Sequence, residues 1–556
     1  MSLAAPAAPV PASSGDVPEV LHGTEETPES PKPTPPPRAL ALDAVRGLAI
    51  LAMCWSGRVP IGDLPGWMSH HYHVPNPEGG GFTQQLLMSG YTWVDWVFPA
   101  FLFSMGAAFP FALGGRLKKG WPLWKISTGV VMRGVALLGF AIYIWHMSFS
   151  RIAAPSQMVA CLLSLLGFGM LFLVYQRFPD KWPAALRHGL KFGGVALAIG
   201  YLLLLDYKNG AEVFALEKDA GEFFERLTFI WRRDIIIHLL AIVSIFGAFI
   251  WLLTKASVKL RLAFLVLPFI AFLCQGDLDK IADPSISQGI RSLPGMGAVL
   301  GFFGGLFPFP DRLGYFQFLK FLWPVIPGTI IGDLMVRWMK DRKGEDPAAD
   351  KAPTGKLLGA AALVVVLCAV VFTGLQARWP VVTLLIGGAL MGAIHVLMPP
   401  ASGPATNRFL RQLSLWGIVW LGIGLFMDAV PYLNDGGIKK GPPITLSYPL
   451  VSTGLSIYML LAFTVWLDLA RKRKTFWLLW ASGQNPLLAY AAIGMLLLPL
   501  VSLPIFPGSN GAVSLNSLVV GAVENPWLEA GWGLLQTIAL AAFAGFCTAK
   551  KILWRT

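Results

Sequence analysis

Apolar runs of close to 20 residues alternate with short polar and basic stretches over most of the chain. A helix of about 20 residues crosses the roughly 30 Å hydrocarbon core of a bilayer. The pattern predicts an all-α fold, a polytopic transmembrane bundle of about 11 to 14 helices. The fourteen runs are 39–57, 94–113, 128–147, 157–175, 190–206, 235–254, 261–275, 315–336, 357–374, 381–398, 413–430, 449–468, 476–500 and 529–549.

The first 38 residues differ from the rest of the chain. They are rich in Ala, Pro, Ser and Glu, end in SPKPTPPPR, and carry no apolar segment of the kind found in a signal peptide. Such a composition cannot bury a core. It predicts a disordered cytoplasmic tail over 1–38, followed by one multi-helix membrane domain over 39–556.

Composition excludes several protein classes. Of the 556 residues, 55% are hydrophobic and only 13% are charged, whereas soluble proteins carry about a quarter charged residues. This argues against an ordinary cytosolic enzyme, a nucleic-acid binder and a secreted disulfide scaffold. The five cysteines stand singly without a CxxC pair, so neither a zinc site nor a disulfide framework is indicated.

The distribution of basic residues predicts the orientation. Lys and Arg number 26 in the six loops and the C-terminal segment that fourteen helices would place on the side of both termini, against 13 in the opposite loops. Basic residues collect in cytoplasmic loops, so the pattern predicts that both termini are cytoplasmic. This distribution accounts for the net charge of +13, so the charge does not indicate a nucleic-acid partner.

Ionisable residues within the apolar runs are candidates for function, because burying a charge in lipid is costly. Asp43 and Arg46 lie three apart on one face of the first helix and can pair, either at a site or at the membrane interface. Asp95 begins the second helix, where it can act as an N-terminal cap. Arg133, Asp333 and Asp428 are further inward-facing candidates, interpreted as structural.

The strongest candidate for chemistry is a histidine cluster in the first loop. His70, His71 and His73 fall within PGWMSHHYHVPNP, between the first helix and Asp95. Histidine can act as a general base or carry an acyl group near neutral pH. A solvated polar loop is the alternative. A metal site is disfavoured, because neither cysteine nor acidic partners lie nearby in the sequence.

A second polar cluster is NDGGIKKGPPITLSY, residues 434–448. Lys439 and Lys440 break the charge pattern, since they lie in a loop on the side poor in basic residues. The surrounding Gly and Pro residues indicate a shaped turn. The two lysines are interpreted as an anion-binding or oxyanion-stabilising pair, with a membrane-surface anchor as the alternative.

Several blocks carry a family resemblance. LALDAVRGLAILAM (40–53), PGWMSHH (65–71) and YTWVDWVFPAFLFSMGAAFPFAL (91–113) resemble the start of the heparan-alpha-glucosaminide N-acetyltransferase family and its bacterial relatives. WPVIPGTIIGDLM (323–335), DGGIKKGPPITLSY (435–448) and SGQNPLLAY (482–490, containing Asn485) resemble its bacterial branch. The match extends over most of the chain from residue 38 onward, with long gaps between the blocks.

The resemblance implies a reaction and a set of residues. Members of the family pass an acetyl group from cytosolic acetyl-CoA across the membrane to a glucosamine amine, using a histidine of the first outer loop as acetyl carrier or general base. His70 matches that histidine best, with His71 and Asp95 as further catalytic candidates. The substrate-binding candidates are Asp43, Arg46, His73, Lys439, Lys440 and Asn485. The resemblance also implies nearer eleven helices than fourteen.

The expected partners are therefore the lipid bilayer, acetyl-CoA and a sugar or glycan acceptor, with no metal and no nucleic acid. The expected location is the bacterial inner membrane, as a multi-pass protein, and assembly into homo-oligomers is left open. Two other classes remain. One is a transporter or flippase for a polar lipid or sugar, against which the sequence shows no internal repeat. The other is a structural subunit without chemistry.

Overall fold

The computed structural model describes residues 39–75, 82–84, 88–179, 181–208, 232–275, 285–305, 315–344, 354–441, 443–508, 511–521 and 525–555. The predicted disordered tail, residues 1–38, lies outside this part of the chain. From residue 39 onward the chain forms one compact unit.

The first half of the chain is helical, with one small hairpin in its first loop. Its α-helices are α1 Leu40–Ser56, α2 Trp93–Lys118, α3 Leu123–His146, α4 Gln157–Tyr175, α5 Ala184–Leu204, α6 Ile235–Thr254, α7 Val258–Ala263, α8 Val266–Leu273, α9 Ile286–Arg291 and α10 Met296–Gly305. The hairpin consists of β1 His73–Pro75 and β2 Phe82–Gln84, which pair antiparallel. A 3-10 turn, Gly66–Met68, precedes it.

The second half continues in the same way. Its α-helices are α11 Tyr315–Phe318, α12 Leu322–Asp341, α13 Gly355–Gln376, α14 Pro380–Leu397, α15 Ala405–Ala429, α16 Ser447–Phe463, α17 Trp477–Gln484, α18 Pro486–Ala492, α19 Leu498–Val501, α20 Leu515–Gly521 and α21 Pro526–Ala549. Shorter 3-10 segments are Leu319–Phe321, Arg342–Gly344 and Pro431–Asn434, and π-helical turns are Thr464–Leu469 and Ile493–Leu497. The strands β3 Pro504–Gly508 and β4 Gly511–Ser514 form a second hairpin.

The prediction of an all-α polytopic membrane bundle is confirmed. Within the described part of the chain, ten helices are long and apolar enough to cross a membrane, or eleven if one bent pair counts as a span. They are Trp93–Lys118, Leu123–His146, Gln157–Tyr175, Ile235–Thr254, Phe316–Asp341, Gly355–Gln376, Pro380–Leu397, Ala405–Ala429, Ser447–Leu469 and Pro526–Ala549.

Four of the fourteen predicted runs do not form a straight helix long and apolar enough to span, which explains why the structure has ten such helices in its described part. The run 39–57 forms α1, which has only 17 residues, and 190–206 is the apolar part of α5, whose first two turns are basic. The run 261–275 divides into the short helices α7 and α8. The run 476–500 is bent by 98° between α17 and α18, so it is a broken span or a re-entrant loop.

Close helix packing fixes the centre of the bundle. Gly106 on α2 and Gly328 and Gly332 on α12 stand where an added Cβ would collide with a backbone carbonyl of the facing helix. Small residues let membrane helices approach to backbone contact. Helices α2 and α12 therefore form a tightly joined pair.

A contact between distant loops is found at each face of the bundle. On the face that carries the histidine loop, Gly90 N donates to Ile438 O over 2.8 Å. On the opposite face, the end of α4 pairs with the C-terminal segment through Gln176 and Trp554. These pairs join loops that the charge pattern assigns to the same side. Which face is cytoplasmic stays a prediction.

Candidate functional site

The N-terminus of α2 positions the carboxylate at the centre of the site. Thr92 precedes the helix, and its backbone N and Oγ1 donate to Asp95 Oδ2 over 3.0 and 3.2 Å. Thr92 Oγ1 also lies 2.8 Å from Ser69 O, which ties the histidine loop to the helix. A carboxylate in the first turn satisfies exposed amides and interacts favourably with the helix dipole.

Helix α16 holds this end of α2 from the other side. Tyr448 Oη donates to the backbone carbonyl of Asp95 over 3.0 Å. One and two turns later, Ser452 and Ser456 bond to Tyr91 Oη and to Trp96 Nε1 over 2.6 and 3.1 Å. Because α16 is almost entirely enclosed by the bundle, these bonds fix Asp95 to the rigid interior.

The pair of His70 and Asp95 forms the core of the site. His70 Nδ1 lies 2.8 Å from Asp95 Oδ1, and His71 N donates to Asp95 Oδ2 over 3.3 Å. The side chain of Asp95 is 1% exposed, whereas that of His70 is 25% exposed. A substrate can therefore reach the imidazole but not the carboxylate.

Lys440 completes the arrangement from a distant part of the chain. Its Nζ lies 2.9 Å from Nδ1 and 3.1 Å from Nε2 of His70, and 3.8 Å from Asp95 Oδ1. A proton on Nδ1 would satisfy Asp95 Oδ1 and leave the lone pair, and so the basic nitrogen of the neutral imidazole, at Nε2.

The surroundings of His70 and Lys440 determine the protonation state of each side chain. Burial lowers the pKa of His70 below its usual value, and the charge of Lys440 lowers it further, against the hydrogen bond and charge of Asp95. Burial lowers the pKa of Lys440 to about 8, with Asp95 opposing that shift. Near pH 7 the site therefore holds a neutral histidine beside a lysine that is mostly charged.

The other two histidines have different surroundings. The ring of His71 packs against Gly90, where an added Cβ would collide with it, and burial lowers the pKa of His71. His73 lies edge-on to His70 with ring centroids 5.3 Å apart, and burial lowers the pKa of His73 to about 4. Tyr72 stacks on His70 with ring centroids 5.4 Å apart. Both histidines shape the wall around His70.

The lysine loop is rigid because a buried carboxylate organises it. Asp428 accepts hydrogen bonds from Asn434 Nδ2 over 3.1 Å and from Ile438 N over 2.6 Å, and pairs with Arg378 Nη1 at 3.2 Å. Gly437 has φ +119°, and a Cβ there would collide with Arg378. The predicted shaped turn is present, and Asp428 has the structural role expected of it.

The two adjacent lysines differ. Lys439 Nζ donates to the carbonyl of Asp435 in its own loop over 2.6 Å, and Lys439 N donates to Thr445 Oγ1 over 2.8 Å. Only Lys440 of the pair is placed at His70. The structure thus assigns Lys439 to the folding of the loop.

Three predicted site residues lie elsewhere. Asp43 and Arg46 pair at 3.5 Å, as expected, but Asp43 is thirteen residues before the end of α1, roughly 20 Å from the start of the histidine loop. Asn485, at the break between α17 and α18, bonds Ile552 O and Trp554 N over 2.8 and 3.0 Å. The structure does not bring these residues to His70.

Some residues of the site escape sequence reasoning. Arg378 has φ +57° in the short turn between α13 and α14, and its role depends on Asp428, 50 residues later. Thr92 could have been found, since a threonine three residues before an aspartate is a capping-box pattern. For Arg378 no local pattern exists.

Comparison with known proteins gives one finding. The profile of a family described as a domain of unknown function, DUF5009, matches residues 38–285, a little under half of the chain. That stretch contains His70, His71, His73 and Asp95 but not Lys440. Among curated proteins, none matches this sequence.

Proposed function

We propose that this protein is a transmembrane acyltransferase that passes an acetyl group from cytosolic acetyl-CoA to a sugar amine or hydroxyl on the extracytoplasmic side. The observation that carries the proposal is the arrangement of His70 between Asp95 and Lys440, with the imidazole accessible and the carboxylate enclosed. The blocks that resemble the N-acetyltransferase family supply the reaction class. The bacterial inner membrane is the proposed location.

In this mechanism His70 is the general base. The acceptor takes the place of Lys440 at Nε2, and its N–H or O–H proton passes to Nε2 as the acceptor atom attacks the thioester carbonyl. Asp95 accepts from Nδ1–H, holds the tautomer and stabilises the imidazolium that forms. The new bond is between the acceptor atom and the acetyl carbon.

Lys440 stabilises the negative charge that develops on the carbonyl oxygen of the thioester. As the carbonyl carbon becomes tetrahedral, its oxygen becomes negative, and an ammonium placed beside it stabilises that charge. The intermediate then collapses, the carbon–sulfur bond breaks, and the thiolate of CoA takes the proton from the imidazolium. In a two-step version, Nε2 attacks the thioester itself, the carbon–sulfur bond breaks and the thiolate of CoA leaves. The acceptor then attacks the acetyl carbon carried by His70, and the bond from that carbon to Nε2 breaks.

The test is acetyl-CoA binding and acetyl transfer by the full chain purified in detergent. Wild-type protein and His70→Ala should both bind radiolabelled acetyl-CoA, while only wild type should release CoA thiol when glucosamine is supplied as the probe acceptor. Label retained covalently by wild type alone would establish the two-step version. His188→Ala, an exposed histidine on α5, is the matched control and should behave as wild type. Absence of acetyl-CoA binding would contradict the proposal.

A second candidate function is transport of a polar lipid or sugar, favoured by the break between α17 and α18. Broken helices form substrate sites in many transporters. Here the side chain at the break, Asn485, is occupied by the backbone of Ile552 and Trp554. Substrate uptake into vesicles without CoA would favour transport over acyl transfer.

A further inference from the structure

The first half of α21 packs against the loop that carries the histidines. Arg58, which follows α1, lies directly on Gly533, where an added Cβ would stand 2.6 Å from Cβ of Arg58. Three residues earlier, the carbonyl of Ala530 accepts from Trp55 Nε1 over 3.1 Å. Ala530 also belongs to a small apolar cluster with three residues of the loop, which are Val59, Leu64 and Met68. Helix α21 therefore forms one wall of this loop.

Two connections join this wall to the pair of His70 and Asp95. Met68 is two residues before His70, so their Cα atoms are at most roughly 7 Å apart. Trp93 lies in the first turn of α2 with Asp95 and stacks on Trp55 with ring centroids 5.1 Å apart. The region between α21 and the loop is thus a neighbour of the candidate site.

Three side chains in this region have polar atoms without a partner. Gln536 is 2% exposed, and neither its Oε1 nor its Nε2 has a hydrogen-bond partner in the part of the chain that the structure describes. The same is true of the enclosed Nε of Arg58 and the enclosed Nε1 of Trp93. Buried polar atoms are normally satisfied, so a set of this kind indicates a bound partner that supplies the missing hydrogen bonds.

The three side chains are close to one another. Gln536 is three residues after Gly533 and on the same face of α21, so it lies one turn from the point where Arg58 contacts the helix. Trp93 reaches the same helix through Trp55, which bonds roughly 9 Å along the axis from Gln536. We call Arg58, Trp93 and Gln536 the glutamine subsite.

The glutamine subsite is accessible, and its charge is balanced. Arg58 and Trp93 are partly exposed, whereas Gln536 is buried. Glu529 precedes Gly533 by one turn on the same face of α21, and its charge opposes the effect of burial, which lowers the pKa of Arg58. An anion would meet Glu529 as well as Arg58, so a neutral polar ligand fits the subsite better than a phosphate.

We propose that the glutamine subsite binds the hydroxyl-bearing ring of a sugar, the acceptor of the proposed acyl transfer. A hydroxyl group both donates and accepts hydrogen bonds, as the amide of Gln536 does, and Arg58 and Trp93 add donors. The indole of Trp93 also offers an apolar surface to the carbon side of the ring. The proposal rests on the proposed function, since it takes the sugar to be the acceptor presented to His70.

The sugar is part of a soluble glycan or is the headgroup of a glycolipid. Both present the same hydroxyl groups to Gln536, Arg58 and Trp93. These residues contact the sugar away from the reacting atoms, so they are binding residues and take no part in the movement of protons or of the acetyl group.

The test measures sugar binding by the full chain without acetyl-CoA, in a polyoxyethylene detergent that has no sugar headgroup. Glucosamine, the disaccharide of N-acetylglucosamine and monoglucosyl diacylglycerol are titrated separately. At least one probe should bind wild type. Gln536→Met and Trp93→Phe keep the approximate shape but lose hydrogen-bonding atoms, and should weaken binding about tenfold and about threefold or more. Gln412→Met makes the same change at an exposed glutamine of α15 and should bind as wild type does.

Thermal unfolding without a probe separates a binding amide from a structural one. Gln536→Met should unfold at the same temperature as wild type or a higher one, because the change removes a buried amide that has no partner in the fold. A marked fall in the unfolding temperature would show that the amide is bonded within the fold, and would overturn the assignment of Gln536. Trp93→Phe then tests the rest of the subsite independently.

The binding outcomes separate the two sources. Binding of glucosamine or the disaccharide identifies a soluble glycan, and binding of monoglucosyl diacylglycerol alone identifies a glycolipid headgroup; either supports the subsite. The proposal is overturned if no probe binds wild type, if Gln536→Met and Trp93→Phe both bind as wild type does, or if Gln412→Met loses binding equally. Sugar binding without acetyl transfer would contradict the proposed function alone, because these measurements omit acetyl-CoA.

Discussion

His70 and Lys440 are 370 residues apart in the chain, yet Lys440 Nζ lies 3.1 Å from His70 Nε2. Each residue is held by a different buried carboxylate, Asp95 under the histidine and Asp428 under the loop before the lysine. The two loops also bond directly, through Gly90 N and Ile438 O. The site is thus assembled between two anchored loops rather than within either one.

The first prediction ranks the three histidines. His70→Ala should lower the rate of acetyl transfer about 10²- to 10⁴-fold, because it removes the general base. His71→Ala and His73→Ala should have much smaller effects, since their rings line the site without bonding to Asp95. CoA thiol release measured for all three variants checks the order. A larger loss from His71→Ala than from His70→Ala would contradict the assignment.

The second prediction concerns the charge of Asp95. Asp95→Asn can still accept from Thr92 N, but its amide does not hold the Nδ1–H tautomer of His70. The expected loss of kcat is about 10²- to 10⁴-fold, with folding retained. Thermal unfolding of the same sample separates a catalytic effect from a structural one. Thr92→Ser, which keeps a capping hydroxyl, is the control and should leave both quantities near wild type.

The third prediction is a pH profile with two limbs. The reaction needs neutral His70, so kcat/KM should fall as pH drops through a pKa that lies below the usual histidine value. It also needs charged Lys440, so the rate should fall as pH rises through about 8. Lys440→Arg should remove the alkaline limb, because arginine stays charged throughout. An alkaline limb that persists in this variant would show that another group titrates.

The fourth prediction concerns the lysine loop. Gly437→Ala should destabilise the protein by roughly 1–3 kcal/mol, because the residue has φ +119° and an added methyl would collide with Arg378. Gly388→Ala, on α14 with no atom within 4 Å of the added Cβ, is the matched substitution and should be neutral or stabilising by about 0.5–1 kcal/mol. Thermal unfolding in detergent compares the two. Equal shifts would contradict the strained turn.

The sequence predicts the membrane bundle well because the signal for a spanning helix is long and local. The prediction is less complete where a run is apolar but interrupted: the Asn485–Pro486 step in 476–500 is a signal for a helix boundary, but it does not give the size of the 98° bend, and Asn485 bonds a segment more than 60 residues later. The short helices α7 and α8 are a similar case. A hydrophobic run indicates that a segment is buried in lipid or in protein, but it does not show whether the segment is straight or bent.

Only part of the candidate site could be predicted from the sequence. His70 and Asp95 lie 25 residues apart, and their pairing follows from a loop that returns to a helix N-terminus. The choice of Lys440 over Lys439 depends on which side of a turn each faces, and that turn is set by Asp428 and Arg378. Arg133 is expected to be structural, and that it has no acidic partner among the residues that the structure describes becomes visible only when the neighbouring helices are in place.

The backbone contact between α2 and α12 has a mechanical consequence. A shift of one helix along the other would bring residues with a Cβ against carbonyl oxygens that now face Gly106, Gly328 and Gly332, so sliding is resisted. Helix α2 carries Asp95 at its N-terminus and, roughly 14 Å further, the Ser104 carbonyl that accepts from Arg46. Relative sliding of α2 and α12 cannot therefore separate the two halves of this helix pair, and opening or closing during turnover is expected from other helices or from bending.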